Sequence, residues 1–310
     1  MSLGCAHPHI DPHGSLEDGT PQEMAREASR RARGALHDVV DAHTHLFPDG
    51  FARALRDWFD KHAWRMRFRG DAEGALDELR REGASRQVAL VYAHKPGAAR
   101  SLNAFLADLC RANRDVVGVG TVLPGESDAR DIVREAVDLH GLRGVKLHCH
   151  VQRVAIDDPR TLDVLTQCQE LGVPAVVHSG RQPSNDAYGV STGAICGKDR
   201  TEAVLRKLPR LRLVVPHLGF DEVHEHLELL ARYENLYLDT AMVCAQYFAE
   251  RLDWSAIERW SHRIMYGSDF PITPYEAGRE LRVLARRIES DDAFERIVRG
   301  TARAFWGLGG

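Results

Sequence analysis

Apolar residues in this chain fall into short, near-continuous runs, and each run is followed by a longer stretch with helical spacing. The runs lie at 37–47, 87–93, 116–123, 144–148, 175–179, 211–217, 236–240 and 263–269. Apolar runs of this kind, without alternation, are what a strand buried on both faces requires. Helical patterns occupy 71–82, 98–113, 129–140, 159–171, 200–208, 220–232, 246–260 and 276–288. Several are opened by a proline or an aspartate and closed by a glycine, as at Gly83, Gly141 and Gly172, which suits the preferences of helix ends.

Eight strand–helix repeats predict an α/β protein, a closed (β/α)8 TIM barrel, with an open doubly wound sheet as the alternative. The segment 51–68, with two tryptophans and several arginines, interrupts the repeat after the first strand. It reads as a helical insertion that caps the barrel mouth or makes a subunit contact. Residues 1–36 form a short N-terminal extension: a His-, Pro- and Gly-rich tail with His7, His9 and His13, then a helix at 22–33 opened by Pro21. The barrel spans 37–310, and 292–306 reads as a terminal helix pair.

Composition narrows the function mainly by exclusion. A net charge of -4 offers no basic excess to neutralise phosphates, so no nucleic-acid partner is expected. The arginine-rich spots at Arg30–Arg33 and Arg286–Arg287 sit beside acids and read as solvated helix faces. No stretch reaches the ~18 apolar residues of a membrane span, and the N-terminus lacks a signal-peptide pattern; the expectation is a cytoplasmic protein without a membrane partner. Six cysteines without a CxxC pair argue against a disulfide framework or a zinc ribbon.

The sixteen histidines are informative by position. In a barrel, chemistry comes from the C-terminal ends of the strands, and five of these runs end in histidine or aspartate: His43 with His45, His148, His178, His217 and Asp269. Residues i and i+2 of a strand share a face ~6.5–7 Å apart, so His43 and His45 can turn together toward one ion. An isolated HxH pair is weak evidence, and a lone histidine ending a strand is more often a hydrogen-bonded core residue. The bland reading must, however, be invoked separately at each strand end. For Asp269 the alternative is a helix cap, which Pro271 and Pro274 disfavour by delaying the next helix. Beside a cation, a carboxylate can bind it and also accept the proton of water.

Lys146 and His148 share one face of the fourth run. Lys146 either orients ligands, contacts substrate or is carboxylated to bridge two ions; His148 is a further ligand or a donor behind the ligands. His150 is assigned to the surface. Arg181 follows His178 at the barrel mouth and either pairs with a substrate carboxylate or with a nearby acid. The polar loop 182–197, carrying Ser184, Asn185 and Tyr188, is long enough for a lid, and Tyr188 is a candidate substrate contact.

With these strand ends in view, the chain resembles the amidohydrolase superfamily, in its amidohydrolase-2 branch of metal-dependent hydrolases. The matching pieces are Asp-Ala-His43-Thr-His45, Gly-Val-Lys146-Leu-His148, Val-Val-His178-Ser-Gly, Pro-His217-Leu-Gly and Tyr-Gly-Ser-Asp269-Phe-Pro, with Gly300-Thr-Ala-Arg-Ala-Phe-Trp as the terminal helix. The resemblance implies one divalent ion, zinc above manganese, iron or cobalt, held by His43, His45, His178 and Asp269. It implies His217 as acid/base or as the group that polarises the substrate, Asp269 as shuttle for the proton of the attacking water, and Lys146 with His148 as a second metal site or as residues behind the ligands. The chain departs from many relatives, which have proline after His148 where it has Cys149-His150.

The expectation is therefore hydrolysis of a lactone, amide or ester in a small, carboxylated substrate. Non-oxidative decarboxylation of an aromatic or unsaturated acid is the alternative, since the same residues serve both. A catalytically idle, metabolite-binding barrel is the third reading. The resemblance and the aromatic insertion also raise a homodimer as an expectation.

Overall fold

The computed structural model describes residues 19–247 and 252–309; the histidines of the N-terminal tail lie outside them. Eight parallel strands run in sequence order: β1 (Val39–Thr44), β2 (Ala84–Leu90), β3 (Val116–Thr121), β4 (Val145–His148), β5 (Ala175–His178), β6 (Leu213–Val215), β7 (Leu236–Asp239) and β8 (Ile264–Met265). The ring closes between its last and first members. Ala42 N donates to Tyr266 O, Asp269 N to His43 O and His45 N to Phe270 O, each at 2.8 Å. This is the (β/α)8 barrel that the eight repeats predict.

Local chemistry explains the boundaries. β6 stops at Val215 because Pro216 has no N–H for the ladder and His217 takes φ 61°. β8 pairs regularly for only two residues, and the rest of the 263–269 run continues as an irregular segment that Asp269, at φ 59°, turns away. Asp71 caps the helix Ala72–Arg81 through Gly74 N at 2.8 Å, and Asp158 caps Pro159–Leu171.

Buried Val88 and Leu90 of β2, Val117 and Val119 of β3, Val176 of β5, Val214 of β6 and Met265 of β8 form one cluster. Side chains of non-neighbouring strands meet this way only across a barrel interior. Phe305 and Trp306 join the cluster, and Phe305 O accepts from Arg212 beside the start of β6. The terminal helix thus closes the end opposite the strand C-termini.

Four expectations need correction. The terminal helix pair is a single helical run, Asp291–Glu295 and Thr301–Trp306 joined by a π-helical stretch, Arg296–Gly300. Of the helix expected at 246–260, the described residues show Trp254–Arg259, where Asp253 caps Ala256 N; residues 248–251 lie outside them. The insertion helix is Asp49–His62, beginning before 51. Finally, Arg30 is not on a solvated face. It is fully buried, donating to Ala285 O at 2.9 Å, to Ile288 O at 2.8 Å and to Asp291 at 2.8 Å. Five guanidinium N–H groups can satisfy the carbonyl end of a neighbouring helix, which here docks the N-terminal helix Pro21–Ala32 onto Arg279–Arg287. Among the described residues no helix is long and apolar enough to cross a membrane.

Candidate active site

The strand C-termini bring three donor atoms together. His43 directs Nδ1 at Asp239 Oδ2, 2.8 Å away, and His45 donates Nδ1–H to Leu90 O at 2.8 Å. Each neutral ring is then left with a lone pair on Nε2. These two nitrogens lie 3.2 Å apart, and Asp269 Oδ1 is 3.1 Å from both. All three residues are buried, and Asp269 Oδ1 makes no hydrogen bond. Three lone-pair atoms packed in this way repel unless positive charge lies among them. A triangle of this size is spanned by an ion ~2.0–2.2 Å from each atom, so the donor set fits a divalent cation.

Titration tendencies agree with that demand for positive charge. Burial works against the ionised Asp269, yet His43 and His45 hold it well below the ordinary carboxylate range. Burial likewise opposes protonation of His43, but Asp239 and Asp269 outweigh it and raise its pKa. Burial lowers His45. Lys146, buried among these groups, is brought down to about 8 by desolvation, which Asp239 and Asp269 partly offset.

His217 and His178 continue the line of imidazoles. His217 donates Nδ1–H to Ala241 O at 2.9 Å and His178 donates Nε2–H to Gln182 O at 3.0 Å. The remaining nitrogens, His217 Nε2 and His178 Nδ1, face each other at 3.0 Å. Burial brings His217 to about 4 and pushes His178 well below its ordinary value, so both rings are neutral near pH 7. Two facing lone pairs at this distance call for a shared proton or a cation.

Of the ligand set read from the sequence, His43, His45 and Asp269 converge. His178 stands one imidazole away and forms a second group with His148 and His150, stacked on His148 at 4.2 Å. His150, assigned to the surface on sequence, is fully buried; its Nε2 donates to Gly180 O at 2.8 Å. The reason is that the chain turns into a short helix, Cys149–Gln152, immediately after β4 and folds back over the mouth.

Arg181 lies outside the site. It pairs with Asp221 and Glu222 at 3.2 Å. Tyr188 is buried and lies 5.1 Å from both His150 and Trp58. Asn185 Nδ2 donates to His62 O, so the 182–197 loop rests on the insertion helix.

Asp239 is the residue that the sequence reading passed over. It ends β7 at the same height as the histidines, and Oδ1 also accepts from His217 N at 2.9 Å. Its position at a strand terminus was the available signal. Asp41 was also missed. It takes N–H bonds from His43 and Ser268 at 3.1 Å, and burial raises it to about 7. Tyr92, just beyond β2, packs edge-on to His45 and His148.

Backbone conformation aims these groups. His217, Leu218, Phe220, Met242 and Asp269 all take positive φ, a region costing ~1–3 kcal/mol for most side chains. These five lie at the end of the barrel where the donor atoms converge, and strain of this kind gathers at functional sites.

The donor cluster opens into a 550 Å³ cavity walled by Phe51, Leu55, Trp58, Tyr92 and Tyr188. Phe59, His148, Tyr188 and Ile272 line both the cavity and the space around the donor cluster, so the two are continuous.

Similar architectures are known. An uncharacterised TIM-barrel protein from Bordetella bronchiseptica is 19% identical, with 87% of this chain and 98% of that one covered and a TM-score of 0.66. A 2,6-dihydroxybenzoate decarboxylase from Rhizobium is 16% identical over 88% of this chain and 100% of its own, at a TM-score of 0.63. A 5-carboxyvanillate decarboxylase from Novosphingobium aromaticivorans, complexed with manganese and 4-hydroxy-3-methoxy-5-nitrobenzoic acid, is 17% identical over 88% and 96%, also at 0.63. No curated protein matches. At these identities the likeness speaks for the fold. The sequence model of one family, described as amidohydrolase, matches residues 40–308, a span that holds every strand end described above. With barrel, strand-end donors and family pattern in agreement, the chain belongs to the amidohydrolase family.

Proposed function

We propose that this protein is a metal-dependent hydrolase that cleaves a C–O or C–N bond in a small, carboxylated substrate. The observation that carries the reading is the buried triangle of His43 Nε2, His45 Nε2 and Asp269 Oδ1, with the neutral imidazole of His217 5.1 Å from that of His43. These three residues would hold the ion, with His178 as the fourth candidate ligand. Two or three imidazoles and a carboxylate suit zinc, our expectation, and also manganese, iron or cobalt. When bound, such an ion lowers the pKa of water toward ~7 and polarises a carbonyl oxygen.

The chain's own groups supply the rest. Asp269 stays ionised and accepts the proton of the attacking water. His217, held by Ala241 O at Nδ1 and facing His178 through Nε2, relays a proton to the leaving group. Lys146 adds positive charge near developing negative charge. The aromatic wall excludes water from the substrate side.

A second reading, non-oxidative decarboxylation, draws support from that wall, which suits a planar ring, and from the activities named for two of the similar structures. The test is product analysis. Zinc- and manganese-loaded protein is offered lactones, amides, esters and carboxylated aromatics, with the Asp269→Asn and His217→Asn variants alongside. Water addition that falls ~10²–10⁴-fold in either variant supports hydrolysis. Carbon dioxide release without hydrolysis replaces it with the second reading, and no turnover of any class rejects both.

A further inference from the structure

We infer that the cavity above the ligand cluster selects substrates carrying a second anionic group, with Lys95 and Arg153 as its receptor. The inference rests on the reading that the site takes a carboxylated substrate, and it adds where the other end of that substrate sits.

The first observation is charge segregation. The chain has 45 acidic residues against 41 lysines and arginines. Even so, the 550 Å³ cavity is lined by no aspartate or glutamate, and its lining carries Lys95 and Arg153 together with the imidazoles of His94, His148 and His150. His148 and His150 stand at the cluster end, whereas Lys95 and Arg153 are exposed and mark the rim.

The second observation is that the acids next to Arg153 in the chain and those beside the Lys95 segment are already engaged. Asp157 and Asp158 follow Arg153 by only a few residues, yet Asp157 pairs with Arg200 at 2.7 Å and Asp158 with Arg160 at 2.9 Å. Beside the Lys95 segment, Glu126 accepts from Gly97 N at 2.7 Å, and Asp128 and Glu135 are both bound by Arg100 at 2.6 Å. Lys95 and Arg153 themselves have no ion pair among the described residues. Their charge is left for something that enters the cavity.

The third is position. Arg153 caps the short helix after β4 in the left-handed conformation, at φ 56°, and its guanidinium packs against Gly189. A Cβ there would lie 3.4 Å from Arg153 Cζ. Arg153 thus lies against the turn of the 182–197 loop next to Tyr188, itself a cavity wall. Between rim and cluster stand Phe51, Trp58, Tyr92 and Tyr188. The ligand this describes is a planar or aromatic body with one acid group at the cluster and another at Lys95 and Arg153, where a guanidinium can bind a carboxylate or phosphate in two-pronged fashion.

The experiment compares two matched probes on zinc-loaded protein, naphthalene-2,6-dicarboxylate and 2-naphthoate, by calorimetry at low and physiological salt. The diacid is expected to bind at least ~10-fold more tightly, with a preference that shrinks as salt rises. The Lys95→Gln/Arg153→Gln double variant is expected to lose the preference while keeping its affinity for the monoacid. Arg181→Gln, whose charge is spent on Asp221 and Glu222, is expected to keep it. Equal affinities, absence of binding by both probes, or a preference that survives the double variant overturns the inference. Repeating the titration with His43→Ala separates the two claims. A rim-dependent preference that persists without metal dependence upholds the receptor and counts against the metal-centre reading.

Discussion

Asp239 Oδ2 and His43 Nδ1 lie 2.8 Å apart with both residues buried, so the last residue of β7 determines which nitrogen a histidine of β1, two strands on around the barrel, presents to the cluster. The carboxylate holds the proton on Nδ1 and makes Nε2 the better ligand.

Replacing this carboxylate by an amide, Asp239→Asn, should therefore weaken metal binding by ~10–100-fold while leaving the fold intact. Competition with a chromophoric chelator measures it. Unchanged affinity would mean that Asp239 only supports the backbone around His217.

Gly267 sits just past β8, where the chain runs beside His43 of β1. A Cβ at this position would lie 2.7 Å from His43 Cβ, closer than real Cβ contacts come, and both partners are anchored in the barrel wall. Gly267→Ala should cost ~1–3 kcal/mol by overpacking and should also displace His43. Urea unfolding and metal content, measured together, check this: a stable variant that binds metal normally would show that β8 can yield.

The N-terminal helix should come loose in acid before the barrel does. Glu27 binds Arg286 at 2.5 Å and Arg31 at 3.1 Å, and Glu23 binds Arg287 at 2.7 Å. Burial works to raise both carboxyls, but bonds from Thr20 and the arginines prevail, and both pKa values lie below the ordinary 4.5. A depressed folded-state pKa contributes stability above the unfolded value and loses it as pH falls through the folded one. Wild type should thus exceed the Glu23→Gln/Glu27→Gln variant in urea stability at pH 7, with the gap closing below about pH 4.5. A gap of the same size at pH 7 and pH 3.5 would contradict the assignment.

Much of the site was legible because a barrel turns chain position into spatial position. Strand ends are recognisable as the last polar residue of an apolar run, and all such ends lie in one layer. His43, His45, His178, His217 and Asp269 were singled out in this way, and Asp239, one position before the end of the 236–240 run, ends β7 in the same layer. His150 escaped it because its burial depends on a four-residue helix with no periodic signature. Arg181 was left between a substrate carboxylate and a nearby acid, because sequence does not show Asp221 and Glu222 beside it. Arg30 looked solvated for the converse reason: its partners, Ala285, Ile288 and Asp291, lie more than 250 positions away.

By itself, then, the sequence determined the barrel, its eight repeats and the ring of histidines and aspartate at its mouth, because hydrophobic period and strand termini are local properties. Only the tertiary structure decided which of those residues share an ion-sized space, where His178 stands relative to them, and which arginines remain free for a ligand. Those depend on distances of a few ångströms between residues far apart in the chain, and on which side chain reaches a partner first.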